Sequence, residues 1–259
     1  MNASRQPHRE CSTRGASGMT LLELLVAVSI TAILLLGLVR FATAAGLARQ
    51  LQDSQSQLQD QARVAFRMLA DAIAEAGFDP APWRSTHSLD GAFTGSADAV
   101  TTRGDRLVVR TWSDRNCFDN LNPVTGVAGR PAFFLRESAF DLSAAGQLTR
   151  SCRYGPTAGE LTTQVRRQGK VPGIDSFQLL FGIDGDGDGN ADRWVHAGEW
   201  DDPGAVLGVR VGLLLRGAEP VVEPVARGHA ILDQRLTAPA DGHLRLPLEF
   251  TAAVRGRTG

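Results

Sequence analysis

The sequence predicts an α+β protein: a long N-terminal α-helix followed by an antiparallel β-rich globular head. Three observations carry this. No proline occurs between Met19 and Asp79, and apolar residues there keep a helical period. Past Pro80 the texture changes to short β-like runs separated by Gly, Pro, Asp and Asn clusters. A helix first and strands after it form two layers, with antiparallel sheet packed on the helix. The chain has 259 residues, enough for one ordinary domain plus a long helix.

Residues 1–18 form a leader holding Arg5, Arg9 and Arg14 against Glu10, a net charge of +2 that ends at Gly18. Basic residues before an apolar segment stay cytoplasmic, so everything after Val39 is expected across the membrane. From Leu24 to Val39 no charged residue occurs, and Glu23 stands alone at the fifth position after Gly18. A carboxylate at bilayer depth costs about 2.5–3.5 kcal/mol on insertion scales and needs a partner. Three readings compete. The first is a secretory signal cut after Ala42-Thr43-Ala44. The second is an anchor that is never cut. The third is cleavage between Gly18 and Met19, which leaves the apolar run as the mature N-terminus. Glu23 hinders the first two.

Beyond Arg40, Leu47, Leu51, Leu58, Ala62, Ala65, Leu69, Ile73 and Ala76 make one apolar stripe, with Gln, Asp and Arg on the other face. Gly77-Phe78-Asp79-Pro80 reads as the stop. The division expected is 1–18 leader, 19–78 helix (19–39 spanning the membrane or filament core) and 79–259 head. A helix of about 60 residues is roughly 90 Å long. A coiled-coil stalk is the alternative, but the stripe is too alanine-rich and short for a zipper.

In the head, Leu107–Trp112, Ala132–Leu135, Ser176–Phe181, Val206–Leu215, His243–Leu246 and Phe250–Val254 read as strands, and Ser85–Thr102 as a polar surface loop. Without the leader the chain holds 24 basic and 27 acidic residues, so it lacks the electrostatic footprint of a nucleic-acid binder. Cys11 falls in the leader. That leaves Cys117 and Cys152, an even count that in an exported chain points to a disulfide, against two buried free thiols.

The run Asp184-Gly-Asp186-Gly-Asp188-Gly189-Asn190-Ala-Asp192 alternates carboxylates with glycine. Asp184, Asp186 and Asp188 match positions 1, 3 and 5 of a calcium loop, Gly189 its turn, Asn190 its backbone carbonyl and Asp192 position 9. Val195 stands where the bidentate glutamate belongs, and Glu199, Asp201 or Asp202 would have to substitute. Calcium binding and a solvated Asp-Gly turn both remain open. His87, His196, His229 and His243 show no metal spacing, and no GxSxG, P-loop or HExxH occurs. His196 near Asp192 and Glu199 reads as a surface histidine rather than acid–base machinery.

Gly18-Met19-Thr20-Leu21-Leu22-Glu23 and the run after it resemble the type III signal of type IV pilin-like proteins, substrates of prepilin peptidase. The resemblance implies cleavage after Gly18 and methylation of the new amine. That family most often has phenylalanine where this chain has Met19. It also implies that Glu23 pairs with the N-terminal amine of a neighbouring subunit and sets axial register. Phe181–Gly189 ahead of the late strand Val209–Leu215, with the two-cysteine head, resembles the PilW-type minor pilins. That resemblance implies a non-catalytic subunit of the inner membrane, single-pass with a periplasmic head, that joins other minor pilins and the major pilin. With them it initiates or caps a type IV pilus and serves cell adhesion near its tip, without direct nucleic-acid binding. A J-type minor pseudopilin of type II secretion is the alternative. An exported calcium-dependent hydrolase is a distant one.

Overall fold

The computed structural model describes residues 19–81, 89, 91–99, 104–124 and 129–255. The chain divides into two compact units, Met1–Arg49 and Gln50–Gly259. Helix α1 runs Leu21–Ala74. Its composition is leucine- and alanine-rich, the strongest helix formers, and it has no internal proline. Thr20 starts it: its Oγ1 accepts the Glu23 amide at 3.3 Å and its carbonyl accepts the Leu24 amide at 3.1 Å. Gly77, at φ 72°, ends it in the left-handed conformation glycine adopts without strain.

Within the first unit the helix buries no side chain. In the second, Ser54, Leu58, Ala62, Ala65, Leu69 and Ile73 are buried at spacings of three and four. The stripe therefore differs from the expected one at its start. Leu47 is 57% exposed, and the first buried position is Ser54, a polar residue. Ser54 fits because it faces Gly217, where a Cβ would lie 2.8 Å from its Oγ. A larger residue at either position would force helix and strand apart.

Among the described residues ten strands build the head: β1 (Leu107–Ser113), β2 (Phe134–Leu142), β3 (Leu148–Gly155), β4 (Thr162–Val171), β5 (Ile174–Ile183), β6 (Arg193–Val195), β7 (Val206–Pro220), β8 (Arg227–Ile231), β9 (Gln234–Ala238) and β10 (His243–Ala253). They form an antiparallel meander β1-β2-β3-β4, an antiparallel sheet β10-β7-β5-β6 and the hairpin β8-β9. Leu58, Leu69 and Ile73 of α1 share one core with Leu107, Val109 and Phe140 of the meander and Phe177, Phe181 and Leu213 of the second sheet. Each such side chain stabilises by about 1.5–3 kcal/mol on burial. The fold is thus the α+β arrangement expected.

Individual strands differ from their sequence bounds. The strand expected at Ala132–Leu135 starts at Phe134 and runs on to Leu142. His243–Leu246 and Phe250–Val254 are one strand, because Pro247 is tolerated on β10 at the sheet edge. The surface-loop reading of Ser85–Thr102 fails where the segment is described. Ala92 and Phe93 are buried, and Phe93 meets Phe181 edge-on at 5.5 Å. The Arg110 amide donates to Ala92 O at 2.8 Å, so this segment also closes the outer edge of β1.

Candidate functional site

The N-terminal site is a helix start. Thr20 and Glu23 have the spacing of a capping box, with the Thr20 hydroxyl at the N-cap and Glu23 three residues on. Met19 and Glu23 are exposed, and Gly18 lies outside the described residues. The helix behind them is long and apolar enough to cross a membrane. Its few polar side chains are satisfied internally. Ser29 Oγ donates to Leu25 O and Thr31 Oγ1 to Ala27 O, both at 2.7 Å, leaving Glu23 as the polar group that needs an outside partner. Sequence reasoning singled out Glu23 but missed the capping role of Thr20, which the T-x-x-E spacing carries.

In the acidic loop between β5 and β6, one carboxylate oxygen from each of Asp184, Asp186 and Asp188 lies within 4.8 Å of the others. Asp184 organises the turn: its Oδ1 accepts the Gly187 amide at 2.7 Å and its Oδ2 the Gly189 amide at 3.1 Å. Gly187 and Gly189 take φ of 80° and 85°, which side-chain-bearing residues rarely adopt. Asp188 accepts the backbone and side-chain amides of Asn190 at 2.7 and 3.0 Å, and these bonds, the side-chain one foremost, lower its pKa. Asp192 stands outside the group, its Oδ2 accepting the Gly185 amide at 2.7 Å. The possible twelfth-position substitutes are engaged elsewhere. Glu199 accepts the His196 amide, Asp201 faces Arg193 at 3.6 Å and Asp202 caps the turn at Gly204. Three hard oxygen donors on a glycine-rich turn suit calcium in chemistry. Asn190 and Asp192 would have to reorganise to complete six ligands.

Cys117, in the β1–β2 connection, is disulfide-bonded to Cys152 on β3, with Cα atoms 5.9 Å apart. Gln164 on β4 accepts the Cys117 amide at 3.0 Å, so the connection is tied to two strands.

His196 is a half-buried loop residue and is not paired with Asp192. Its Nε2 lies 3.1 Å from Asp233 Oδ2 and its Nδ1 3.7 Å from Asp98 Oδ1. His87 lies outside the described residues. Sequence reasoning also missed three buried ionic groups. Glu137 accepts from Arg110 Nε at 3.0 Å and from Arg153 Nε at 2.9 Å. Arg245 binds Asp241 through both terminal nitrogens and holds that carboxyl well below the usual range. Asp105, 1% exposed, accepts the Ala99 and Leu179 amides, yet burial pushes it up to about 6.

A long apolar helix with one carboxylate in its capped first turn, joined to a disulfide-tied β head, fits the pilin class, and residues 13–39 match the prokaryotic N-terminal methylation motif. Such a motif implies processing by a prepilin peptidase and interaction with other pilus components. Residues 140–256 match the family described as Type IV Pilus-assembly protein W. Together the two matches make the chain a type IV pilin-like minor pilin of the PilW family. No curated protein and no solved structure matches it.

Proposed function

We propose that the protein is a non-catalytic minor pilin that helps initiate or cap type IV pilus assembly. One observation carries this: a single helix bears an apolar, outward-facing segment with one carboxylate in its first turn and, further on, the stripe that packs into the head. A segment of this kind suits two apolar surroundings in turn, bilayer and filament core. Glu23 is the register device, docking on the methylated Met19 amine of a neighbour after cleavage at Gly18. A buried carboxylate so paired is tolerated, whereas an unpaired one is not. The protein starts in the inner membrane with a periplasmic head and moves to the tip-proximal pilus. The PilW match favours a pilus over a type II secretion pseudopilus.

The test joins processing to assembly. N-terminal mass spectrometry of the membrane-extracted protein should find N-methylated Met19 in wild type and in Glu23→Ala alike. The mutant should enter sheared filaments at least about tenfold less, since losing one partner of a buried charge pair costs about 3–5 kcal/mol. Normal incorporation of the mutant sinks the register role. A chain starting near Ala45 sinks the pilin reading.

A second reading concerns the acidic loop. The convergence of the Asp184, Asp186 and Asp188 oxygens favours a calcium site. Like charges this close repel, and a divalent cation relieves the repulsion. Millimolar calcium should raise the melting temperature of the full-length protein in detergent, and Asp184→Ala with Asp186→Ala should abolish the rise. An unmoved melting temperature assigns the loop to a plain turn.

A further inference from the structure

The seam between α1 and the meander holds an open cavity of about 410 Å³ lined by Arg136, Arg150 and Lys170. The cations are unequally served. Arg136 bonds Glu75 at 2.6 Å and faces Asp119 at 3.6 Å. Arg150, on β3, makes one long hydrogen bond, from Nη2 to Ser138 Oγ at 3.3 Å. Its Nε is buried without an acceptor. Among the described residues no carboxylate comes within ion-pair distance of it. Burial, and then the like charge of Arg136, lower its pKa, and Asp119 and Glu75 offset them only in part. Buried donors left unpaired are costly and rare, and this one belongs to a side chain that lines the cavity.

We propose that this cavity is a carboxylate-binding pocket, with Arg150 the fork that receives the two oxygens and Lys170 a second, exposed cation at the rim. The guanidinium matches a carboxylate in shape and offers parallel N–H donors. Asp71, Glu75 and Asp119 line the same cavity. They oppose a dianionic phosphate more than a singly charged carboxylate, which sets the class. A free small carboxylate and an acidic side chain of another protein present the same group.

Calorimetry on the full-length protein in detergent separates the two sources. The probes are butyrate, a blocked tripeptide whose only carboxylate is a glutamate side chain, and inorganic phosphate. Saturable binding of butyrate is expected if the ligand is a free molecule, and of the peptide alone if it is a side chain. Arg150→Gln should weaken either by about tenfold or more, and Lys170→Gln by less. Saturation by neither carboxylate, preference for phosphate, or equal binding by Arg150→Gln overturns the proposal. Should Arg150→Gln not fold, exchange of the Arg150 Nε proton in the unmutated, ¹⁵N-arginine-labelled chain decides. Carboxylate should slow it, and an unchanged rate overturns the proposal.

Discussion

The two halves of α1 share one secondary structure and differ in almost everything else. Residues 21–49 are leucine-rich on every face and expose them all, Leu34 at 67%. Residues 50–74 bury one apolar stripe, Leu69 at 0%, and leave Val64 and Phe66 outside it, exposed. Helical backbone is satisfied internally in both, so the distribution of side chains alone assigns each half its solvent. An all-round apolar helix has no preferred face and suits lipid or a ring of like helices. A striped one fits a single surface.

One substitution made in both halves should break the comparison open. Leu69→Ala removes a fully buried side chain from the core and should destabilise the head by about 3–5 kcal/mol. Leu34→Ala should leave head stability unchanged and weaken membrane insertion by only about half a kcal/mol. All four tryptophans lie beyond residue 80, so their fluorescence in denaturant reads the head alone. Equal losses from the two variants would mean that the first half also supports the head.

The disulfide sharpens the same contrast, because it acts only on the second unit. It closes a separation of 35 residues, which in the chain-entropy model stabilises by about 3–4 kcal/mol. Cys152→Ala, or reduction of the wild type, should lower the denaturation midpoint accordingly while leaving membrane insertion intact. An unmoved midpoint would show that the contacts of Gln164 and the β2–β3 ladder already fix the connection.

How much of this was readable depends on the physical signal each element carries. The helix was legible because its period and lack of proline act over dozens of residues. Its packed stripe was misplaced at the start because Leu47 and Ser54 look interchangeable only until Gly217 is known to lie opposite. β3 and β4 were invisible: LTRSCRYG and TTQVRRQGKV are polar, β4 is an edge strand with both faces largely exposed, and neither alternates cleanly. Among site residues, Glu23 and the cysteine pair were legible as isolated oddities of composition. Asp184, Asp186 and Asp188 were legible from their alternation with glycine. Asp192 left that group because the Gly185 amide captures its carboxylate, a competition no spacing rule encodes. Asp105 and Arg150 gave no signal, since a lone charged residue in a β-rich stretch reads as solvent-facing until its neighbours are placed.

Asp105 extends the comparison to acids in apolar surroundings. Glu23 stands in a segment that offers no neighbouring charge, whereas Asp105 is held in the head by two backbone amides. Burial outweighs those bonds, then the nearby Asp98 adds to it, and its pKa rises from 3.8 to about 6. The folded state therefore binds this proton more tightly than the unfolded state. The stabilisation it brings is complete below about pH 4 and is lost as pH rises through about 6. Asp105→Asn removes the titration, so the stability of wild type relative to the mutant should fall by roughly 2 kcal/mol between those limits. Asp241, held low by Arg245, acts with the opposite sign in wild type and mutant alike, and the difference cancels it. A difference that stays flat from pH 4 to 7 would mean that the two amides fully offset burial. Asp105 would then be a structural acceptor that stays ionised throughout.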